Sequence, residues 1–361
     1  MVNSKQKICF IVPSLRGGGA EKVTLDIIEG LDTEFWSICL IVLNRVGERS
    51  GYRNTNIEII DLGSSSVRMA VVPIIRVLFE IRPSVVYSTL NHLNLTMSFV
   101  SILFPSIAFV GRQTRKASTS FSDKHWIQIL TNRIMYSLNL LDVVVVQSIG
   151  MRNDLIKNCF INPDRISLIN NPLNLEKIAA LAAVECKSFN SKTFNIVSVG
   201  RLEKSKGLER LIDGFSLLDS RKFSLSILGD GSMKQELIYK VQSLGLENSI
   251  KFLGYQKNPY KFIQGADILV LTSYSEGFSN TVVEAMACGK FVVAYPFYGQ
   301  EIIKEGVNGF IVKEENTSKF VEAIKKAQLM ERNSIIIKNS VKHLASENVL
   351  AQYYSLFKLL I

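Results

Sequence analysis

Short apolar segments alternate with amphipathic stretches along the first half of the chain. The stretches at 21–31 and 71–81 repeat apolar residues at helical spacing, whereas the segments between such stretches are almost continuously apolar. Buried strands separated by helices are typical of a parallel sheet that is covered on both faces. The predicted strands of this half are residues 8–12, 36–43, 57–61, 85–88, 107–111, 143–146 and 166–169.

A second series of the same kind follows a polar connection. Pro172 interrupts the pattern, and residues 173–190 look like a helix followed by a polar linker. We therefore expect a first domain at 1–185 and a second at 186–345, with a final helix at about 345–361 packing back on the first. The predicted strands of the second series are residues 194–200, 223–229, 250–253, 268–271, 291–295 and 309–312.

Two α/β series of similar size predict two Rossmann-like, doubly wound domains with a cleft between them. The length of 361 residues suits two domains. In such sheets, ligands bind outside the carboxyl ends of the strands. The polar and glycine-rich motifs of this chain come directly after predicted strands, so we expect the functional site there.

Composition limits the class of protein. Hydrophobic residues are 47% of the chain and charged residues 20%, which excludes a disordered protein. The net charge of +10 permits nucleic acid, anionic membranes or phosphorylated small molecules as partners. The five cysteines include no CxxC pair, and the start of the chain lacks a secretory pattern, so we expect reduced thiols in a cytoplasmic protein.

The segment at 93–110 is apolar enough to be considered as a membrane span. It contains several polar residues, including Asn94, and Pro105 divides it. We therefore predict a buried helix to about Phe104 and a strand at 107–111.

The segment 275–289 carries the most informative motif. A predicted strand leads into a loop with Glu276, and a helix starts near Asn280, includes Glu284 and stops at Gly289. Free backbone N–H groups and the helix dipole at 279–281 favour an anion without any metal. A carboxylate at Glu284 can accept two hydrogen bonds from a ribose diol.

This motif resembles the E-x7-E signature of the retaining, GT-B-fold glycosyltransferases of family 4, the glycosyl transferases group 1. The resemblance extends over nearly the whole chain and is strongest at 194–312. It implies that Glu276 contacts the donor sugar as a catalytic residue and that Glu284 binds the nucleotide ribose. The residues that would complete this donor site are Gly277, Phe278, Ser279 and Asn280.

Two cations follow the first strand of the second domain. The run at 199–208 is similar to the G-R-L…K-G segment of the family, which implies that Arg201 and Lys206 hold the donor diphosphate. Loss of a nucleoside diphosphate builds negative charge on the leaving oxygen, and fixed cations stabilise that charge as it develops.

Other glycine-rich loops complete the predicted donor site. The run Gly17, Gly18, Gly19 resembles the G-G-A-E loop of the family, which implies a place near the donor phosphates. The same run lacks the third glycine of a GxGxxG dinucleotide fingerprint, so an oxidoreductase is disfavoured. Gly254 and Tyr255 follow another strand and, by the resemblance, border the nucleoside.

The first domain is where the family binds the acceptor. His92 and Arg112 each follow a predicted strand there and are candidate acceptor-binding residues. Between residues 66 and 140, eight basic and two acidic residues are interleaved with apolar ones. This composition suits contact with anionic lipid headgroups, which would place the protein on the inner face of the cell membrane.

The sequence has no D-x-D or HExxH pattern and no GxSxG motif, so we expect neither a metal site nor a cofactor nor a hydrolase triad. The resemblance implies a retaining transferase that moves a sugar from a nucleotide-sugar, with UDP as the expected nucleotide, to a glycan or lipid-linked acceptor in bacterial surface polysaccharide biosynthesis. Nucleic acid is not an expected partner. A nucleotide-sugar epimerase of the same fold and a non-catalytic nucleotide-sugar-binding scaffold remain alternatives.

Overall fold

The computed structural model describes residues 5–16, 18–47, 50–115, 117–118, 125–186, 188–314 and 316–361. The chain divides into two compact units. The first combines Met1–Pro172 with Ser346–Ile361, and the second is Leu173–Ala345.

The first unit contains a parallel sheet of seven strands. Its order, β3-β2-β1-β4-β5-β6-β7, reverses direction at β1, as in a doubly wound sheet. Every strand overlaps a segment that the apolar pattern predicts. The strands are β1 (Gln6–Ser14), β2 (Trp36–Asn44), β3 (Ile57–Asp61), β4 (Val85–Thr89), β5 (Ala108–Arg112), β6 (Val143–Val146) and β7 (Ile166–Leu168).

Helices cover this sheet, and their ends carry recognisable stop and start signals. Ser66 and Ser148 cap two of them by accepting backbone N–H groups, and Arg82 ends one in the left-handed conformation. The helices of the first unit are α1 (Gly19–Glu29), α2 (Val67–Ile81), α3 (Asn91–Val100), α4 (His125–Ser137), α5 (Ile149–Cys159) and, after the second unit, α13 (Ser346–Leu359).

The last helix completes the core of the first unit. The ring of Phe357 lies 6.0 Å from the rings of Phe10 and Tyr87, and 6.3 Å from that of Trp36. All four side chains are buried. Aromatic contacts at such distances add to the free energy gained from burial alone, so α13 is an integral part of this core.

The second unit repeats the architecture with six parallel strands in the order β10-β9-β8-β11-β12-β13. Each of them also overlaps a predicted segment. The strands are β8 (Phe194–Val199), β9 (Phe223–Leu228), β10 (Ile250–Gly254), β11 (Ile268–Leu271), β12 (Phe291–Ala294) and β13 (Gly309–Ile311). The helices are α6 (Leu175–Ala182), α7 (Leu208–Phe215), α8 (Lys234–Ser243), α9 (Tyr260–Gly265), α10 (Asn280–Ala287), α11 (Thr317–Leu329) and α12 (Ser334–Asn339).

The division between the units lies at 172–173 and not at the predicted 185. Helix α6 packs against α9, and Ile178 on α6 is buried in the core of the second unit. The side chain of Asn258 donates a hydrogen bond of 2.9 Å to the carbonyl of Leu181. The helix predicted in this connection is thus part of the second unit, held by tertiary contacts that local composition does not reveal.

The apolar segment at 93–110 forms α3, a short 3₁₀ turn at Ser101–Leu103 and then β5, close to the predicted bounds. The predicted burial was wrong in part, because Phe99, Ile102 and Leu103 are exposed. Within the described ranges, no helix combines the length and apolar character that crossing a bilayer requires. All five cysteines are unpaired, and all except Cys186 are buried.

Candidate active site

A lysine and a glutamate from adjacent loops form an ion pair in the second unit. Lys206 ends a 3₁₀ turn after β8, and Glu276 lies in the loop between β11 and α10. Because β8 and β11 are neighbours, their carboxyl ends bring these loops together. The Lys206 ammonium donates to Oε1 of Glu276, and the Ser273 hydroxyl donates to the same oxygen at 3.0 Å. Both charged side chains are largely shielded from solvent, which strengthens their attraction.

Backbone contacts fix the two loops against each other. The Thr272 hydroxyl donates to the carbonyl of Lys206 at 3.2 Å, and the amide of Tyr274 donates to the carbonyl of Ser205 at 2.9 Å. Gly207 has φ +60°, and a Cβ there would lie 2.2 Å from the carbonyl oxygen of Thr272. Only glycine permits both this conformation and this close approach.

Arg210, on the first turn of α7, is a site residue that the sequence did not single out. Its Nε and Nη2 donate to the carbonyls of Thr272 and Ser273 at 2.7 and 2.8 Å. Its guanidinium lies 4.1 Å from the ring centroids of both Tyr274 and Tyr295. This fork holds the backbone that leads to Glu276. A single arginine on an amphipathic helix gives no signal of such a role, because its partners are far away in the sequence.

Arg201 lies close to this pair without joining it. Its side chain is 64% exposed and forms a 3.0 Å ion pair with Glu203. A small cavity at the ends of β8 and β11 is lined by Arg201, Lys206, Thr272 and other residues. The structure thus brings both predicted cations to one cavity, with Lys206 paired inside it and Arg201 at its solvent side.

Helix α10 begins and ends where the motif predicts. Ser279 is its N-cap residue, and Gly289 follows it with φ +77°. The Tyr260 hydroxyl donates to Oε1 of Glu284 at 3.1 Å. Burial, with a smaller contribution from the Glu284 carboxylate, raises the pKa of the Cys288 thiol to about 12. The carboxylate of Glu284 is therefore held by a tyrosine from α9, and the neighbouring thiol stays protonated.

The loop between Glu276 and α10 is anchored from the segment after β12. The amide of Tyr298 donates to the carbonyl of Glu276 at 3.1 Å. Gly277 is buried, and Phe278 packs on the hydrophobic core. A Cβ at Gly299 would lie 2.9 Å from the Phe278 ring. The predicted donor-binding residues at 277–280 thus lie on one segment, which a backbone hydrogen bond and core packing hold in place.

Loops after β9 and β10 border the same edge of the sheet. Gly254 ends β10 with φ +68°, and its carbonyl accepts the amide of Gly229 at 2.8 Å. A Cβ at Gly229 would lie 1.9 Å from the carbonyl oxygen of Gly200, which precedes Arg201. Tyr255 extends into solvent. Close backbone packing therefore connects the predicted nucleoside-bordering loops to the Arg201 loop.

The glycine run of the first unit starts a helix. Gly17 lies outside the described residues, Gly18 is the N-cap of α1, and Gly19 is its first residue. A Cβ at Gly18 would lie 2.4 Å from a carboxylate oxygen of Glu21. His92 is in the first turn of α3, where partial burial lowers the pKa of its imidazole and the Glu21 carboxylate opposes the shift. His92 thus lies within electrostatic range of Glu21, a residue in the first turn of the helix that the glycine run starts.

Arg112 is buried inside the first unit, which does not fit the expected acceptor-phosphate contact. Its Nη2 donates to the side-chain oxygen of Asn171, just before the crossover into the second unit. Among the described residues its Nε and Nη1 have no hydrogen-bond partner, nor do the nearby hydroxyls of Tyr87 and Tyr353. The sequence placed Arg112 correctly at the end of a strand but could not show that its side chain turns into the core under α13.

Metal-binding side chains do not cluster in the described ranges: no group of three or more His, Cys, Asp or Glu residues is arranged to hold an ion. The polar groups at the ends of β8 and β11 are instead an ion pair, an arginine fork and a helix N-terminus. These groups can bind an anion and stabilise developing negative charge.

Solved structures of glycosyltransferases share this architecture. Anabaena HepE in complex with UDP superposes with a TM-score of 0.81 over 98% of this chain and 100% of its own, at 19% identity. Sucrose-phosphate synthase from Thermosynechococcus elongatus gives a TM-score of 0.83 over 99% of each chain, at 16% identity. The chain has the GT-B fold, with one Rossmann-like parallel-sheet domain in each unit.

Sequence comparison also finds similarity to glycosyltransferases. Residues 185–343 match the family model of the glycosyl transferases group 1. The chain is 29% identical, over 89% of its own length and 89% of the relative's, to the N-acetylgalactosamine-N,N'-diacetylbacillosaminyl-diphospho-undecaprenol 4-alpha-N-acetylgalactosaminyltransferase of Campylobacter jejuni. The second unit is thus similar to the group 1 glycosyltransferases, and most of the chain is similar to this relative.

Proposed function

We propose that this protein is a retaining, metal-independent glycosyltransferase of family 4 that moves a sugar from a nucleotide-sugar to a glycan or lipid-linked acceptor. The observation that carries the proposal is the Lys206–Glu276 pair, held rigidly beside a cavity that Arg201 also lines. A cationic pocket that a carboxylate neutralises at rest is suited to a diphosphate, which can replace the carboxylate as the counter-ion of the lysine.

The mechanism follows from the charge that the reaction creates. When the bond between the anomeric carbon and the donor phosphate oxygen breaks, negative charge grows on that oxygen, and Lys206 and Arg201 stabilise it. The acceptor oxygen attacks from the same face, and the departing phosphate oxygen takes its proton. This route retains the anomeric configuration. It requires no enzyme base. Glu276, released from the lysine, contacts the donor sugar.

A UDP-sugar is the proposed donor. The solved relative HepE has been captured with UDP-glucose, which supports a uridine nucleotide here. In the proposed arrangement Glu284, held by Tyr260, accepts the ribose hydroxyls. Ser279 and Asn280 present the start of α10 to the diphosphate, and the loop at 254–255 borders the base.

The acceptor is proposed to bind the first unit, with His92 as a contact. The name of the Campylobacter relative includes a diphospho-undecaprenol acceptor, which supports a lipid diphosphate carrier for this chain. A role in the assembly of bacterial surface polysaccharide, on the cytoplasmic side of the cell membrane, follows from such an acceptor. Arg112 is left out of this proposal because it is buried.

Thermal shift with a panel of nucleotide-sugars tests the donor assignment first, because a ligand that binds the folded state raises the melting temperature. Transfer is then measured with that donor for wild type, Lys206→Ala and Glu276→Ala. Lys240→Ala is the matched control, since Lys240 also pairs with a carboxylate of the second unit, Asp213, at 2.7 Å. Equal transfer by all four proteins would disprove the assigned site, and unchanged transfer in EDTA is expected if no metal takes part.

Donor turnover with and without membrane extract separates the two alternative functions. A transferase consumes donor only when an acceptor is supplied, whereas an epimerase converts donor without one. A non-catalytic binding protein gives a thermal shift and no turnover in either condition.

A further inference from the structure

Exposed apolar side chains are concentrated on one helical layer of the first unit. Helix α2 packs beside α3, and α3 beside α4. We infer that the outer face of these three helices docks on the surface of an anionic lipid bilayer. This docking face consists of large apolar side chains that are exposed on α2, α3 and α4, on the 3₁₀ turn after α3 and just after α4: Met69, Val72, Phe79, Phe99, Ile102, Leu103, Trp126, Leu130, Ile134 and Leu138.

Helix α4 carries the most regular part of the docking face. Trp126, Leu130 and Ile134 are exposed at intervals of four residues, and Leu138 continues this spacing beyond the helix end. Residues with that spacing lie along one side of a helix. A helix that turns such a stripe outward while Met135 and Tyr136 are buried is suited to lie in the plane of a membrane interface.

Helices α2 and α3 add an apolar groove. The groove has a volume of about 370 Å³. Val71 and Ile75 form one wall, and Leu95, Phe99 and Leu103 contribute to the other. A groove with this lining is able to accept apolar groups from the outer part of a bilayer, such as acyl-chain segments near the headgroups.

Charge identifies the lipid class. Arg68 and Arg76 on α2, Arg82 at its end and Arg133 on α4 are exposed, while Glu80 is the only acidic residue in the sequences of the three helices. Arginines beside apolar side chains can keep their charges among anionic headgroups while the apolar groups enter the acyl region. A second copy of the same face would place arginines opposite arginines, so a bilayer fits better than a dimer.

Tryptophan fluorescence gives a local test. The chain has two tryptophans: Trp36 is 1% exposed and Trp126 is 66% exposed. Vesicles of phosphatidylcholine with phosphatidylglycerol should shift the emission of the wild type to shorter wavelength, and Trp126→Phe should remove the shift. A wild-type spectrum that the vesicles leave unchanged overturns the inference.

Flotation with the same vesicles tests the rest of the docking face. A glutamate placed in an apolar interface is strongly disfavoured, so Leu130→Glu and Ile134→Glu should each weaken vesicle binding by about tenfold or more. Leu329→Glu is the matched control, because Leu329 is a highly exposed leucine on α11 of the second unit. If Leu130→Glu and Leu329→Glu bind the vesicles equally well, the assignment of the docking face is wrong.

The contribution of the arginines to vesicle binding is tested separately. Arg76→Gln and Arg82→Gln should lower binding at low salt, and Arg221→Gln, an exposed arginine of the second unit, should not. Binding to pure phosphatidylcholine that equals binding to the anionic vesicles overturns the choice of lipid. Light scattering that finds a lipid-free dimer, lost in Leu130→Glu, overturns the membrane as the occupant. None of these measurements requires transferase activity, so the docking face and the proposed reaction can fail independently.

Discussion

The ammonium of Lys206 donates to the carboxylate of Glu276 across 70 residues of sequence. In a largely shielded pair of this kind, each side chain fixes the position of the other. The pair therefore contributes both to the folded structure of the donor site and to the proposed reaction. Substitutions can measure these two contributions separately.

Replacement of Glu276 by Gln should reduce transfer far more than stability. The glutamine can still accept the Ser273 hydroxyl, but it no longer neutralises Lys206. We expect a loss of about 10² to 10³ in kcat, as for removal of one electrostatic group from an active site, and a decrease in the free energy of unfolding of about 1–3 kcal/mol. Single-turnover transfer and urea unfolding of the same preparation measure both. A large loss of stability with normal turnover would contradict the assignment.

Arg210 should matter for turnover although it does not touch the ion pair. Without its fork, the carbonyls of Thr272 and Ser273 are released and the backbone before Glu276 shifts. A displacement of about 1 Å can cost about 10²-fold in rate, so Arg210→Met should lower kcat by that order with a smaller effect on the donor KM. Arg210→Lys restores the charge but not the two-carbonyl geometry, and should recover only part of the rate.

Arg221→Met is the control for these variants, since Arg221 is an exposed arginine that contacts only Asp219 among the described side chains. A rise in donor KM at unchanged kcat in Arg210→Met would indicate that Arg210 contributes to binding and not to positioning.

Gly207→Ala should disturb the site more than its conformation alone predicts. A left-handed backbone costs a non-glycine residue roughly 1–2 kcal/mol. At Gly207 a Cβ would also lie 2.2 Å from the carbonyl oxygen of Thr272, whereas at Gly245, with a similar φ of +66°, it would meet nothing within 4 Å. The difference in unfolding free energy between Gly207→Ala and Gly245→Ala measures the clash, and equal values would show that the loop adjusts freely.

His92 should titrate below its usual pKa of 6.5. Because burial disfavours the imidazolium in the folded protein, the unfolded chain binds the proton more readily. The free energy of unfolding is therefore unaffected by His92 above pH 6.5, where the imidazole is neutral in both states. It decreases as the pH falls below 6.5, because protonation then favours the unfolded chain. NMR of the three histidines gives the midpoint, with His92→Asn for assignment. Glu21→Gln should lower the midpoint further, because the carboxylate favours the charged form.

Asn171 and Arg112 should be coupled energetically. Among the described residues, Asn171 is the only side chain that accepts a hydrogen bond from the Arg112 guanidinium. Asn171→Ala should therefore lower the free energy of unfolding by about 1–3 kcal/mol. In an Arg112→Met background the cost should be much smaller, because the buried charge is gone. Four urea unfolding curves complete the cycle, and additive effects would show that the two side chains act independently.

Much of the fold could be predicted because buried parallel strands have a simple sequence pattern. The strands of both units lie within a few residues of the apolar segments, and α10 runs from Asn280 to the residue before its C-cap Cys288, as its capping signals indicate. The predicted boundary at 185 was wrong because the attachment of α6 depends on α9, which lies far along the chain.

The placement of Lys206 and Glu276 could be predicted because both follow buried strands, and their roles stay predictions. The candidate site could not be predicted where a role depends on the direction of a side chain. Arg112 and Arg210 are both arginines near strand or helix ends. One turns into the core, and the other braces a loop from a different strand. Only tertiary contacts distinguish them.

The first unit is built from two separate pieces of the chain, Met1–Pro172 and Ser346–Ile361. During synthesis on the ribosome, its sheet emerges long before α13, which supplies Tyr353 and Phe357 to its core. The second unit is contiguous and can close its core as soon as it has left the exit tunnel. The unit made first is thus completed last, because until α13 is added Phe10 and Tyr87 lack their contacts with Tyr353 and Phe357.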